Sequence, residues 1–160
     1  MTIATIFAST FFKKLFINQS FYNMSQHKAV LLLGSNLGDQ KKNVETALER
    51  IKEGGNEILR ISEFLTSEPV EFVSSNIFCN IAAIISTDLS PIQLLDFVKS
   101  IEMKMGRLHD SRAGGYEDRI IDIDIITYNG LIFVSERLEI PHRKHLFERA
   151  FSEKLLKDFI

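Results

Sequence analysis

Asp122 and Asp124 stand in the run Asp118-Arg119-Ile120-Ile121-Asp122-Ile123-Asp124-Ile125-Ile126, where apolar and acidic residues alternate with period two. That is the period of a β-strand. Ile121, Ile123 and Ile125 then share one face, and the two aspartates share the other, roughly 6–7 Å apart along the strand. Side-by-side carboxylates repel unless a positive charge lies between them. A divalent cation meets that need, and an oxygen-only donor set suits Mg²⁺ shared with phosphate. Arg119, just upstream, can grip a phosphate oxygen through paired N–H donors. An amphipathic edge strand with a solvated acidic face has the same pattern, so the rest of the chain must decide.

Several elements have to position this strand. Ala29 to Leu33 is an apolar run ending at Gly34 and reads as a buried strand. Gly34 to Asp39 is turn chemistry with a capping residue. From Gln40 to Glu53, Val44, Ala47, Leu48 and Ile51 recur at helical spacing, and Gly54-Gly55-Asn56 stops that helix. Ile58, Ile61 and Phe64 mark a second strand, 67–76 a long loop, and Phe78 to Ser86 a third strand. Asp88 or Ser90 caps a second helix with Pro91 in its first turn, running through Leu94, Val98 and Glu102 to Gly106. Residues 107–118 form a polar loop with two glycines. After the aspartate strand, Asn129-Gly130 signals a tight turn from which Leu131 to Val134 pairs back. His145 to Lys157 reads as one closing helix. The order β-α-β-β-α-β predicts an α+β fold, a ferredoxin-like antiparallel sheet with helices packed on it.

Length and composition narrow the function. At 160 residues the chain fits one domain with a core of its own. A net charge of −2 and the lack of any Lys/Arg run count against nucleic-acid binding. The single cysteine, Cys79, excludes an internal disulfide or a cysteine-rich zinc site; it reads as a small core residue in a reducing, cytoplasmic setting. Residues 1–23 differ: Phe, Ile, Ser and Thr dominate, Lys13 and Lys14 follow the apolar run, and no acid precedes Asp39. A secretory signal puts its charge first, and the run is too short to span a bilayer. A transit peptide would be richer in arginine. We therefore expect residues 1–23 to be a disordered or non-native extension, with Met24 an alternative start and the domain running over 24–160.

The motifs together resemble a family. Gly34-Ser35-Asn36-Leu37-Gly38, Glu68-Pro69-Val70, Phe78-x-Asn80, Glu102-x3-Gly106-Arg107, Asp118-Arg119-x-Ile121-Asp122-Ile123-Asp124, Ile140-Pro141-His142 and Arg149-x-Phe151 are similar to those of the 6-hydroxymethyl-7,8-dihydropterin pyrophosphokinases of folate synthesis. Each motif is weak alone, but seven in order and spacing are specific. The resemblance implies transfer of a pyrophosphoryl group from ATP, as co-substrate, to the pterin hydroxymethyl oxygen, releasing AMP. It implies that Asp122 and Asp124 hold two Mg²⁺ ions and that Glu102 supports them. Arg107, Arg119, His109, Ile125, His142 and Arg149 would join Glu102 in the ATP site, with Arg107 and Arg119 also catalytic. Asn36, Ser67, Glu68, Val70, Phe78, Asn80, Tyr116 and Phe151 would form the pterin site. Asn80 can offer the ring edge both donor and acceptor, and the aromatic rings can sandwich it. The partners implied are these two small molecules, with no membrane or nucleic acid and a monomeric protein. Loops 67–76 and 107–118 would close so that ATP meets the pterin hydroxyl and not water.

Departures from the family pattern are His109 in place of a second basic side chain, Phe78 in place of tyrosine, Arg143 after His142, and a shorter stretch after Phe151. Two rivals were weighed. Polymerase-β-type nucleotidyltransferases also combine Gly-Ser with Asp-x-Asp, but about one short helix apart, whereas Gly34-Ser35 and Asp122 are separated by two helices and two strands. A non-catalytic ferredoxin-like binding module would have no need of both aspartates and both arginines.

Overall fold

Apolar runs pair into one antiparallel sheet, and the pairing order puts the two aspartates on its rim. In the computed structural model, which describes residues 26–68, 76–106 and 118–160, the strands are β1 (His27–Ser35), β2 (Glu57–Ile61), β3 (Leu65–Ser67), β4 (Phe78–Thr87) and β5 (Asp122–Tyr128). They lie in the order β2-β4-β1-β5, with β3 continuing the β2 edge along β4. Helices α1 (Gln40–Glu53) and α2 (Pro91–Lys104) make the two crossovers. This is the expected split β-α-β, ferredoxin-like arrangement, and α1 has the bounds its periodicity predicts.

Local chemistry sets the helix ends. The Asp39 side chain accepts from the Lys42 N–H at the start of α1. Ser90, not Asp88, caps α2 in a full capping box with Gln93, and Pro91 follows. Gly54, just past α1, lies so close to Phe97 that a Cβ would sit 2.2 Å from the ring, which lets the two helices pack tightly.

The sheet has two unlike faces. Leu31, Leu33, Ile81, Ile85 and Ile123 point toward the helices, where they meet Val44, Ala47 and Ile51 of α1 and Leu94, Val98 and Ile101 of α2. Each such buried Leu or Ile contributes about 1.5–3 kcal/mol. On the opposite face Val30, Leu32, Ala82 and Ile126 are covered by Leu155 and Leu156 from the C-terminal helices. A bulge in the β1–β5 ladder between Val30 and Leu31 shifts the register. Ile126 packs on the second face in ordinary alternation, and the extra residue returns Tyr128 to the first. Cys79 is a free, buried thiol, as expected, and burial pushes its pKa up.

Three elements differ from the sequence reading. The second strand is two, because Ser62 to Phe64 leaves the ladder between β2 and β3. Leu131–Val134 does not pair back on β5: Phe133–Val134 (β6) pairs with Glu139–Ile140 (β7) in a separate ribbon. The outer edge of β5 is already taken, with the Ile126 carbonyl accepting from the His142 N–H and the Ile123 N–H donating to Glu102. Finally, the closing helix is broken into α3 (Arg143–Phe147) and α4 (Ala150–Leu156). Unbroken, it would hold His145 and Ser152 roughly 10 Å apart along its axis. With Arg149 extended at φ −118°, the two side chains meet at 2.7 Å. Among the described residues no helix is long and apolar enough to cross a membrane. The expectations for residues 1–23, Val70, Arg107, His109, Tyr116 and closure of the 107–118 loop lie outside the described residues.

Candidate active site

The site lies at one end of the second sheet face, where the apolar cover stops. The register sets Gly34 directly between Asn80 of β4 and Asp122 of β5. Leu65 lies opposite Asn80, and Leu32 lies opposite Asp124. A Cβ at Gly34 would stand 2.6 Å from Asn80 Oδ1 and 3.5 Å from the Phe78 ring, so only glycine keeps this strip of sheet open. Asn80 is buried and donates to Ser67 Oγ at 2.9 Å and toward the Leu65 carbonyl at 3.3 Å. Ser67, Phe78 and Asn80 are thus brought together around the gap left by Gly34, with Asp122 on its far side. Exposed Glu68 follows Ser67 at the end of its described segment.

The aspartates project from the same face, each with a basic partner. Arg119 Nη1 donates to Asp122 Oδ2 at 2.9 Å. Asp124 Oδ2 lies 2.9 Å from His145 Nε2. Burial alone pushes the Asp124 carboxyl up, but the hydrogen bond from His145 and the basic groups around it hold it well below the usual carboxylate range. It is therefore an anion at neutral pH. Burial is also the main cause that pushes the His142 imidazole below its ordinary value. An oxygen pair of fixed negative charge on a half-open face fits a hard divalent cation.

Glu102 reaches this strand from behind. It is fully buried, and its Oε1 accepts from the Ile123 N–H at 2.7 Å while Lys99 Nζ donates to both carboxylate oxygens at 3.1 and 3.0 Å. It holds the backbone between the two aspartates from the helical side of the sheet. Ile125 is likewise turned into the helical core. Asn36 is committed elsewhere: Oδ1 accepts from the Arg119 N–H at 2.7 Å and Nδ2 donates to Asp118 at 2.6 Å. Asn76 donates to the other Asp118 oxygen at 2.6 Å. These bonds seat the start of the 118–119 segment on the end of β1 and set where Arg119 begins.

The sequence reading missed His145 and Ser152. His145 is buried behind Asp124, with Ser152 Oγ at 2.7 Å from Nδ1 and Arg149 Nη1 at 2.9 Å from Nε2. The His142 ring lies 4.5 Å from that of His145, and Phe151 meets His145 edge-on at 6.1 Å. The structure thus gathers His142, Arg149 and Phe151 beside Asp124. The spacing His142-x-x-His145 at the start of a helix was the available signal, since residues three apart share a face.

Fold and site together define a class: an α+β domain that collects carboxylates, arginines, histidines and an amide-lined gap at one end of an antiparallel sheet, donors suited to a cation, phosphates and a flat polar ring. Within that class, residues 30–160 match the family model described as 7,8-dihydro-6-hydroxymethylpterin-pyrophosphokinase. The chain belongs to this family. It is 36% identical over 129 residues to the 2-amino-4-hydroxy-6-hydroxymethyldihydropteridine pyrophosphokinase of Porphyromonas gingivalis, covering 80% of this chain and 87% of that one. It is 39% identical over 135 residues to the folic acid synthesis protein FOL1 of Dictyostelium discoideum, covering 84% of this chain but 20% of that protein. A mitochondrial folate synthesis bifunctional protein of Arabidopsis thaliana is 36% identical over 136 residues, covering 85% of this chain and 24% of that protein.

Proposed function

We propose that this protein transfers the β,γ-pyrophosphoryl group of ATP to the hydroxymethyl oxygen of 6-hydroxymethyl-7,8-dihydropterin, yielding AMP and the pterin diphosphate. The observation that carries this reading is the row Asn80–Gly34–Asp122 across three adjacent strands. It sets the gap left by Gly34 directly beside the carboxylates, and we read that gap as the ring site. Family membership supports the same chemistry.

The hydroxymethyl oxygen attacks the β-phosphorus and loses its proton; the bond from that phosphorus to the α-phosphate oxygen breaks, and AMP departs with the electron pair. Such a transfer needs positioning and charge neutralisation more than covalent help. Asn80 orients a pterin edge through its amide, with Phe78 and Phe151 supplying apolar surface. Tyr116 and the backbone of Val70 complete this slot in our reading. Asp122 and Asp124 would hold two Mg²⁺ ions, which when bound neutralise phosphate charge. Arg119, now on Asp122, turns its other N–H donors to phosphate, and Arg107 and His109 add charge from their loop. His142 and Arg149 bind the nucleotide from the opposite side. Glu102 keeps β5 from yielding as charge gathers on its face. We place the reaction in the cytoplasm and assign it to a monomer; the buried free thiol of Cys79 agrees with a reducing compartment.

The test is an assay with ATP, Mg²⁺ and 6-hydroxymethyl-7,8-dihydropterin that resolves AMP, pyrophosphate and the pterin diphosphate. Pterin-dependent AMP is expected from the wild type. Asp124→Ala should lower the rate by about 10³-fold or more, the scale of losing a central electrostatic group. Release of pyrophosphate would point to nucleotidyl transfer, and a folded wild type that forms neither product would sink the enzyme reading.

A further inference from the structure

His145 plays no part in the mechanism above, yet it joins two of its groups. It is 2% exposed, deeper than Asp124 or Arg149. Its Nε2 lies 2.9 Å from Asp124 Oδ2 and 2.9 Å from Arg149 Nη1. These neighbours make opposite demands, because a carboxylate only accepts and a guanidinium only donates. One ring nitrogen cannot satisfy both. With its hydrogen on Nε2, the ring donates to Asp124 and Nδ1 accepts from Ser152. With the hydrogen on Nδ1, the ring donates to Ser152 Oγ and Nε2 accepts from Arg149. The serine hydroxyl at 2.7 Å serves either arrangement, since it can donate or accept, and the ring's charge is the same in both.

We propose that His145 is a positioning residue that couples the cation site to the nucleotide site. It holds the Asp124 carboxylate until a divalent cation takes that oxygen, then accepts a hydrogen bond from Arg149 and fixes the guanidinium for phosphate. Cation binding thereby orders a nucleotide ligand on the far side of the ring, and nucleotide binding favours the cation by the same factor. Arg149 has five N–H donors, so the bond to His145 takes up only part of its guanidinium. The inference rests on the roles given to Asp124 and Arg149 above, but it is read in binding and not in turnover.

Two titrations of the full chain test it. One measures Mn²⁺ binding by electron paramagnetic resonance with saturating α,β-methylene-ATP. The other measures affinity for that analogue with and without Mg²⁺. With the nucleotide analogue saturating, His145→Leu should weaken Mn²⁺ binding by about 5- to 150-fold, the scale of a lost coupling between two sites. It should also shrink the gain in analogue affinity on adding Mg²⁺. His145→Gln, whose amide both donates and accepts, should recover most of each loss. Long-range ¹H–¹⁵N spectra of the wild type read the ring hydrogen directly, and they answer the question should the leucine variant not fold: Mg²⁺ with the analogue should move it from Nε2 to Nδ1. Wild-type Mn²⁺ affinity in folded His145→Leu, or a ring hydrogen that stays in place when Mg²⁺ and the analogue bind, overturns the proposal, as does a glutamine variant no better than leucine. Pterin-dependent AMP from the wild type, measured in parallel, keeps this result separate from the fate of the proposed reaction.

Discussion

The two faces of the sheet are made by the same strands and do different work. On the helical face Ala29, Leu31 and Leu33 of β1, Ile81, Ala83 and Ile85 of β4, and Ile123 and Ile125 of β5 are apolar and buried, and one charged side chain, Glu102, enters there to hold backbone. On the other face the apolar cover of Val30, Leu32, Ala82 and Ile126 stops short, and Gly34, Asn80, Asp122 and Asp124 follow it. One face stabilises along its whole length. The other stabilises at one end and is left open for chemistry at the other. Groups that would be costly on a lone hairpin are tolerated because the strands are already fixed from behind.

The contrast predicts a separation of effects. Leu31→Ala on the helical face should cost about 2–5 kcal/mol of stability through its cavity and leave the KM values of the folded enzyme unchanged. Denaturant melts and kinetics on the same sample check both halves. A variant with altered pterin KM would mean the faces are coupled. Gly34→Ala, in the middle of the site row, should do the reverse. The new methyl must displace Asn80, which is held by Ser67 and the Leu65 carbonyl. Overpacking of this kind costs about 1–3 kcal/mol, with pterin affinity as the more sensitive readout.

Glu102→Gln sharpens the comparison, because this residue sits on one face and serves the other. The amide can still accept from the Ile123 N–H, but the ion pair with Lys99 is lost. A stability loss of about 1–3 kcal/mol is expected for the disturbed buried group, together with a lower kcat at unchanged pterin KM. Unchanged kcat would limit Glu102 to folding. The smallest effect is in pH. Burial lowers the His142 pKa below its ordinary 6.5, so below that pH the unfolded chain takes up a proton that the folded one resists. Stability should therefore fall as pH drops below about 6.5, with a shallower fall in His142→Gln, measured by melts between pH 7 and pH 5.

Much of this was legible in the chain, for identifiable reasons. Continuous apolar runs set β1 and β4, which are buried on both faces, and periodic patterns set α1, α2 and the Asp-x-Asp strand, where one face is buried and the pattern records it. The β6–β7 ribbon was misplaced because edge occupancy on β5 is a tertiary fact with no local trace. The break at Arg149 has neither proline nor glycine to announce it. In the site, Asp122, Asp124 and Asn80 stood out as polar groups in apolar strands. Asn36 was assigned to the pterin from its motif, whereas its amide is committed to Asp118 and Arg119. His145 was passed over because a histidine in a charged helix looks solvated until the helix is seen to bend back on the sheet.

The outer rim of β5 carries a last consequence. A terminal strand offers unpaired backbone groups to any neighbouring molecule, and sheet proteins are exposed to association there. Here the Ile123 N–H is capped by Glu102 and the Ile126 carbonyl by the His142 N–H. A strand from a second copy could extend the sheet at β5 only by evicting both. The contacts that steady the acidic strand for its substrates also keep it from templating aggregation, so weakening them would be felt in solubility as well as in turnover.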